Sequence, residues 1–206
     1  STYAAEGRFA HALADLHLRL YIKDVTKRKF NEWLKELRKN PFYSQEMADY
    51  VQVYIDLVVE KINEARARSK DALVFLEQRL DFSPWVPEGF GTGDVVLIAD
   101  DVLEVVDLKY GKGVPIDAVG NTQTRLYGLG AVNQFGMLYD FTRVKMTIVQ
   151  PRLDSVSTEE LSADDLMAWG EEHVKPRALL ADKGEGEFSA GEHCRFCRVK
   201  ATCRAR

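Results

Sequence analysis

The stretch GTGDVVLIADDVLEVVDLKYGKG, residues 91–113, limits what this chain can fold into more than any other. Two short apolar, β-branched runs, 95–99 and 102–106, flank the polar pair Asp100-Asp101. That pattern predicts a β-hairpin. With a two-residue turn at Asp100-Asp101, residue 99 faces 102 and Asp94 faces Asp107. Lys109 lies two residues past Asp107 and shares its face. Like charges directly opposite on a sheet repel, and a hard divalent cation reverses that cost because it takes carboxylate oxygens. Either Asp alone reads as a solvated strand end. The two in this register, with Lys109 beside them, favour a metal site. Leu108, between Asp107 and Lys109, offers a backbone carbonyl as a further oxygen ligand. The chemistry that uses such a trio is phosphodiester hydrolysis: the cation activates a water and offsets phosphate charge, and the lysine acts as a point charge.

The 206 residues suffice for one domain with a substantial core. No apolar run approaches the roughly 18–20 residues that span a bilayer. The net charge of −4 argues against a protein that coats nucleic acid through bulk charge, but not against an enzyme with a local basic track. Three cysteines, all near the C-terminus, argue against a disulfide framework and for a reduced compartment.

Residues 3–21 read as a helix carrying His11, with Phe9, Leu13, Leu16 and Leu20 at helical spacing. Residues 22–40 are charged, with Phe30, Trp33, Leu34 and Leu37 at the same spacing, ended by Pro41. Ser44 caps a long helix running to about Ser69, with Met47, Val51, Tyr54, Ile55, Val58, Ile62 and Ala65 as its apolar stripe. A first strand covers 72–82; Glu77 in it reads more readily as a surface or salt-bridging residue than as a ligand. Residues 81–93, with two prolines and three glycines, read as a loop. Gly111-Lys112-Gly113 is too short for a P-loop and reads as a turn beside the site, with Lys112 a phosphate-contact candidate. A helix over 121–138 places Gln123 and Tyr127 on one face, and Gly128 and Gly130 allow close approach. A strand over 143–151 and a helix over 162–180, capped by Ser162, complete the order. The result is an α/β fold around a mixed sheet.

The tail 191–206 holds Cys194, Cys197 and Cys203 as C-x₂-C-x₅-C, a spacing that signals zinc or an iron–sulfur cluster. Three cysteines leave one ligand unfilled. His193 is a conceivable fourth ligand for zinc, although adjacent His and Cys rarely chelate one metal well. Arg195, Arg198 and Lys200 around the triplet are candidates for DNA-backbone contact.

Gly-x-x-Asp at 91–94 followed by Asp-x-Lys at 107–109 resembles the core of the PD-(D/E)XK nucleases. Gly7-Arg8-Phe9-Ala10-His11 is similar to the Gly-x-x-x-His of their RecB-like branch, and Gln123-Thr124-Arg125-Leu126-Tyr127 to its Gln-x-x-x-Tyr. The cysteine triplet is similar to that of AddB-type and CRISPR-associated relatives, and the whole looks closest to phage-encoded members. The resemblance implies a restriction-endonuclease-like core, a central mixed sheet flanked by helices, with a helical insertion at 22–70 in one nuclease domain over 1–206. It implies His11 as a metal ligand with Asp94 and Asp107 around Mg²⁺ or Mn²⁺, and Gln123 and Tyr127 positioning Lys109 or the strand. Arg125 joins Lys112 among the DNA-contact candidates. The implied activity is metal-dependent DNA cleavage, exonucleolytic, in recombination, repair or phage DNA processing. The partners are DNA and a helicase, recombinase or single-strand annealing protein, in the bacterial cytoplasm. Two departures stand out: Asp-x-Lys replaces the commoner Glu-x-Lys, and the fourth cysteine of a [4Fe–4S] cluster is expected upstream of Ser1. A non-catalytic DNA- or protein-binding module on the same scaffold is the alternative, as is a nuclease active only with its partner.

Overall fold

A computed structural model describes residues 2–205. Helix α1 (Thr2–Tyr21) buries Phe9, Ala10, Leu13, Ala14, Leu16 and Leu18. The charged segment after it is not helical throughout. Lys23 turns with φ 64°, and α2 (Lys27–Leu37) starts only where the Thr26 hydroxyl accepts the Lys29 N–H. In α3 (Gln45–Arg68), Ser44 accepts the Met47 N–H at 3.1 Å, and Met47, Val51, Tyr54, Ile55, Val58 and Ile62 are buried. Both ends and the apolar stripe agree with the periodicity.

Strands β1 (Leu73–Asp81), β2 (Phe90–Ala99), β3 (Val102–Leu108), β4 (Arg143–Gln150) and β5 (Ser155–Ser162) form one sheet in the order β1-β2-β3-β4-β5. The hairpin register is the expected one, Ala99 opposite Val102 and Val95 opposite Val106, and Asp100 takes a φ of 53° in the turn. All neighbouring strands are antiparallel except β3 and β4. Parallel neighbours need a crossover, which α4 (Thr122–Phe135) supplies from its Asn121 cap. After β5 come α5 (Ala163–Trp169), capped by Ser162, and α6 (Lys175–Asp182).

The alternation of β2 divides the core. Val95 and Leu97 pack with α1 and α3 on one face, whereas Val96 and Ile98 pack with α4 and α5 on the other. In β1, Leu73, Phe75 and Leu80 meet the same core despite their odd and even numbers. Glu77, at φ 49°, breaks the alternation between them.

Three expectations need correction. β2 begins at Phe90, within the expected loop, because its glycines accommodate neighbours: a Cβ on Gly93 would lie 2.9 Å from Leu80 Cδ1. β5 was not visible in the sequence, because SVSTEELS is a polar edge strand whose exposed and covered residues hold almost no apolar alternation. The expected 162–180 helix is two helices joined by a wider π-type turn at Gly170–Val174, where a Cβ on Gly170 would lie 2.8 Å from Trp85 Nε1. Among the described residues, no helix is long and apolar enough to cross a membrane.

Arg125 on α4 also departs from its expected role. Its guanidinium takes both oxygens of Glu159 on β5, at 2.8 and 2.5 Å, and stacks 5.3 Å from the Trp169 ring. It is a clamp between helix and edge strand, and its charge is paired with Glu159. Its hydrogen bond holds the Glu159 carboxyl below the usual range. That pair therefore adds stability above about pH 4.3, which is lost as the pH falls through the lowered folded value. Glu159→Gln is expected to cost about 1–3 kcal/mol at pH 7 and progressively less as the pH falls through the lowered folded value, read by urea unfolding, with DNA affinity unchanged.

Candidate active site

Where α1 meets β1, β2 and the end of β3, His11, Asp15, Glu77, Asp94 and Lys109 line a cleft of about 930 Å³. From α1, His11 Nδ1 lies 2.8 Å from Asp94 Oδ1. The other oxygen of Asp94 accepts the Leu108 N–H at 2.7 Å, which ties the carboxylate to β3. Leu108 lines the same cleft. One residue earlier, Asp107 is 3% exposed, and Lys109 Nζ lies 2.9 Å from its Oδ2. Lys109 Nζ also donates to Gln123 Oε1 at 2.6 Å, and Gln123 Nε2 donates to Tyr127 OH at 3.0 Å. The four residues read from two separate motifs thus form one chain of contacts. Tyr127 lies over β2 where only glycine leaves room: a Cβ on Gly91 would be 2.3 Å from Tyr127 Cε1.

Two acids join this set. Glu77 on β1 comes within 4.8 Å of His11 and Asp94 with its donor atoms. The sequence reading gave it a surface role, because regular alternation does not foresee the left-handed backbone at 77. The signal was an acid inside a largely apolar strand. Asp15, one helical turn beyond His11, lines the same cleft. It was missed because it belongs to no motif. Behind these groups, a cavity of about 10 Å³, near the size of one water, is walled by Tyr54, Asp15, Glu77, His11 and Asp94. The Tyr54 hydroxyl and Asp15 Oδ1 are buried there without a hydrogen-bond partner.

The electrostatics are those of acids crowded without enough counter-charge. Burial, with the Asp94 charge next, pushes Asp107 up to about 6, against the pull of Lys109. Burial and Asp94 push Glu77 up to about 6 as well. Burial alone would lower His11, but its hydrogen bond to Asp94 and the surrounding carboxylates leave it raised above 6.5. Oxygen donors with one imidazole suit Mg²⁺ or Mn²⁺, and the orphaned Asp15 oxygen adds unused acceptor capacity. The residues fit such an ion. Among the described residues, the set of donors within reach of one another is His11, Glu77 and Asp94. Asp107, expected as a direct ligand, stands outside that set, held by Lys109.

Elsewhere the expected site residues are less gathered. Lys112 is exposed, on a loop whose Gly111 and Gly113 line the cleft. The cysteines do not converge: Cys194, Cys197 and Cys203 are free and partly exposed, and no set of three with mutually close sulfurs occurs among the described residues. Cys194 Sγ instead accepts the Gly191 N–H at 3.5 Å. The three sulfurs are not drawn together as closely as ligands of one zinc ion. Arg195, Arg198 and Lys200 are exposed beside it, and Lys200 Nζ donates to the Arg195 carbonyl at 3.4 Å.

Comparison with known families matches residues 1–206 to one described as "Protein of unknown function (DUF2800)". Among solved structures, the crystal structure of SSO0001 is similar, with 13% sequence identity over 97% of each chain and a TM-score of 0.39.

Proposed function

We propose that this chain, which belongs to the DUF2800 family of proteins of unknown function, is a metal-dependent deoxyribonuclease of the RecB-like, PD-(D/E)XK kind. It acts as an exonuclease in recombination, repair or phage DNA processing, in the bacterial cytoplasm. A helicase, recombinase or single-strand annealing protein is the partner that would feed or receive its strand. The observation that supports this reading best is the contact chain Asp107–Lys109–Gln123–Tyr127, which reaches through Lys109 into the cleft lined by His11, Glu77 and Asp94.

His11, Glu77 and Asp94 would hold Mg²⁺ or Mn²⁺, with Asp107 adjoining. When bound, the ion supplies Lewis-acid activation of water and neutralises phosphate charge. The protein's own groups do the rest. Asp94, fixed at both oxygens by His11 and the Leu108 N–H, cannot swing away. Lys109 is held between Asp107 and Gln123, so its ammonium is placed before the phosphate arrives; charge that need not reorganise stabilises the five-coordinate transition state most. Tyr127 fixes Gln123, and Gly91 gives Tyr127 its place. Gly91→Ala is accordingly expected to lower cleavage tenfold or more by displacing Tyr127, and to lower the melting temperature by several degrees because Tyr127 packs against the core.

The test is cleavage of end-labelled linear and closed circular DNA, single- and double-stranded, in Mn²⁺, Mg²⁺ or EDTA. Linear DNA is expected to shorten from an end in either metal and to survive in EDTA, with circles intact. Absence of cleavage in every metal, with or without a helicase partner, would overturn the reading and leave a binding module.

A further inference from the structure

We infer that the small cavity behind the metal-binding side chains takes one water molecule, held by Tyr54 and Asp15, and that through this water Tyr54 is a positioning residue for Glu77. The consequence for metal binding rests on the proposed function, in which Glu77 is a ligand. The water itself does not.

Tyr54 stands in the apolar stripe of α3 with Met47, Val51, Ile55, Val58 and Ile62, and is 1% exposed. Phenylalanine would fill the same place without a polar atom. A buried hydroxyl that bonds nothing is a net cost to folding, and the Tyr54 hydroxyl has no hydrogen-bond partner among the described residues. Tyr54 walls instead the cavity of about 10 Å³ that it shares with His11, Asp15, Glu77 and Asp94.

Asp15 supplies the matching acceptor. Its Oδ2 takes the Arg19 Nε–H at 2.7 Å, one helical turn on, which leaves Oδ1 buried without a partner. Glu77 reaches the same cavity through a backbone φ of 49°, a left-handed conformation that a residue with a side chain keeps only where its surroundings hold it. Its carboxylate accepts no hydrogen bond from any described residue. Asp94 differs, because His11 and the Leu108 N–H already hold its two oxygens.

A cavity of this size has room for one water, which needs two to four polar partners. Here the water accepts the Tyr54 O–H and donates one hydrogen to Asp15 Oδ1 and the other to Glu77. One molecule thus satisfies both orphaned atoms and steadies the acid that has no other hold. Burial, with the nearby carboxylates next, keeps the Tyr54 hydroxyl well above its ordinary pKa, so it remains a donor. Groups that orient a ligating carboxylate from behind change metal affinity by about 10- to 100-fold. The inner face of α3 therefore reaches the metal centre through a single hydroxyl.

The experiment has three readings on the full chain: a high-resolution crystal structure of metal-free wild type, melting in EDTA, and calorimetric titration with Mn²⁺. The variants are Tyr54→Phe, Asp15→Ala and the two together. Wild type is expected to show one water about 2.7–3.2 Å from the Tyr54 hydroxyl, Asp15 Oδ1 and Glu77. A peak about 2.1 Å from two carboxylate oxygens would be a cation and would overturn the inference. Tyr54→Phe is expected to melt about 2–5 °C lower and to bind Mn²⁺ about 10- to 100-fold more weakly. Added to Asp15→Ala, it is expected to cost no more than about a further twofold, because the shared water is already lost. A hydroxyl that holds no water predicts the reverse: Tyr54→Phe melts higher, since an unsatisfied group is gone, and binds Mn²⁺ as wild type does. That result, or losses that simply add in the double variant, would overturn the inference. If the water and the lower melting are found while wild type binds no Mn²⁺, the water stands and the metal-centre reading fails.

Discussion

Lys109→Ala is expected to reduce DNA cleavage by about a hundred- to a thousandfold, the scale of losing one preorganised group from a transition state, while single-stranded DNA binds nearly as before. The strand itself does not depend on this side chain: the Lys109 backbone N–H donates to the Val149 carbonyl at 2.8 Å, and alanine keeps that bond. What alanine removes is the ammonium shared by Asp107 and Gln123. Arginine is no substitute, because its larger planar fork cannot occupy a point held from two sides. Removing the amine also leaves Asp107 without its counter-charge, so burial and Asp94 push its pKa higher still. The metal-free variant should then melt lower than wild type at pH 7, and Mn²⁺ should recover part of the difference. Single-turnover rates in Mn²⁺ and anisotropy in EDTA separate the two effects. Loss of rate with loss of binding would mean that Lys109 is only structural.

Asp107→Asn is expected to do the opposite to stability and the same to activity. Asp107 has a folded pKa of about 6, raised by burial and by Asp94. A carboxyl raised on folding makes no difference below its unfolded value near 4. It then costs stability progressively up to about pH 6, and the cost is fully present at pH 7. Asparagine removes the charge that carries this cost. The metal-free variant should therefore be about 1–3 kcal/mol more stable than wild type at pH 7, a rise of several degrees in melting temperature, and nearly equal to it at pH 4. Thermal unfolding in EDTA at the two pH values reads this directly. Cleavage should fall by orders of magnitude, and the stabilisation of wild type by Mn²⁺ should shrink.

The hairpin was legible because a strand alternates with period two and a two-residue turn leaves one register. Once 99 faces 102, Asp94 and Asp107 follow. The long helix α3 was equally legible, since its cap and apolar stripe agree. What was hidden depends on contacts that no local pattern contains. Glu77 turns toward His11 through a backbone conformation that regular alternation does not foresee. Asp15 matters only because α1 packs over the cleft. Arg125 carries the same charge in sequence whether it meets DNA or Glu159, and only the β5 edge decides. The start of α2 at Thr26 hung on one hydroxyl, and β5 on pairing that its own polar residues do not announce. The cysteine spacing puts three thiols near each other in sequence, and no three ligand atoms among them come within 4.8 Å of one another in the described residues.

The most direct measurement of the central claim, that these side chains form a metal centre, is calorimetric titration with Mn²⁺ of the wild-type protein, His11→Ala and a Cys194→Ser, Cys197→Ser, Cys203→Ser variant. The account predicts saturable binding to wild type, weakened at least tenfold in His11→Ala and unchanged when the cysteines are replaced. Binding that is indifferent to His11, or that disappears with the cysteines, would contradict it.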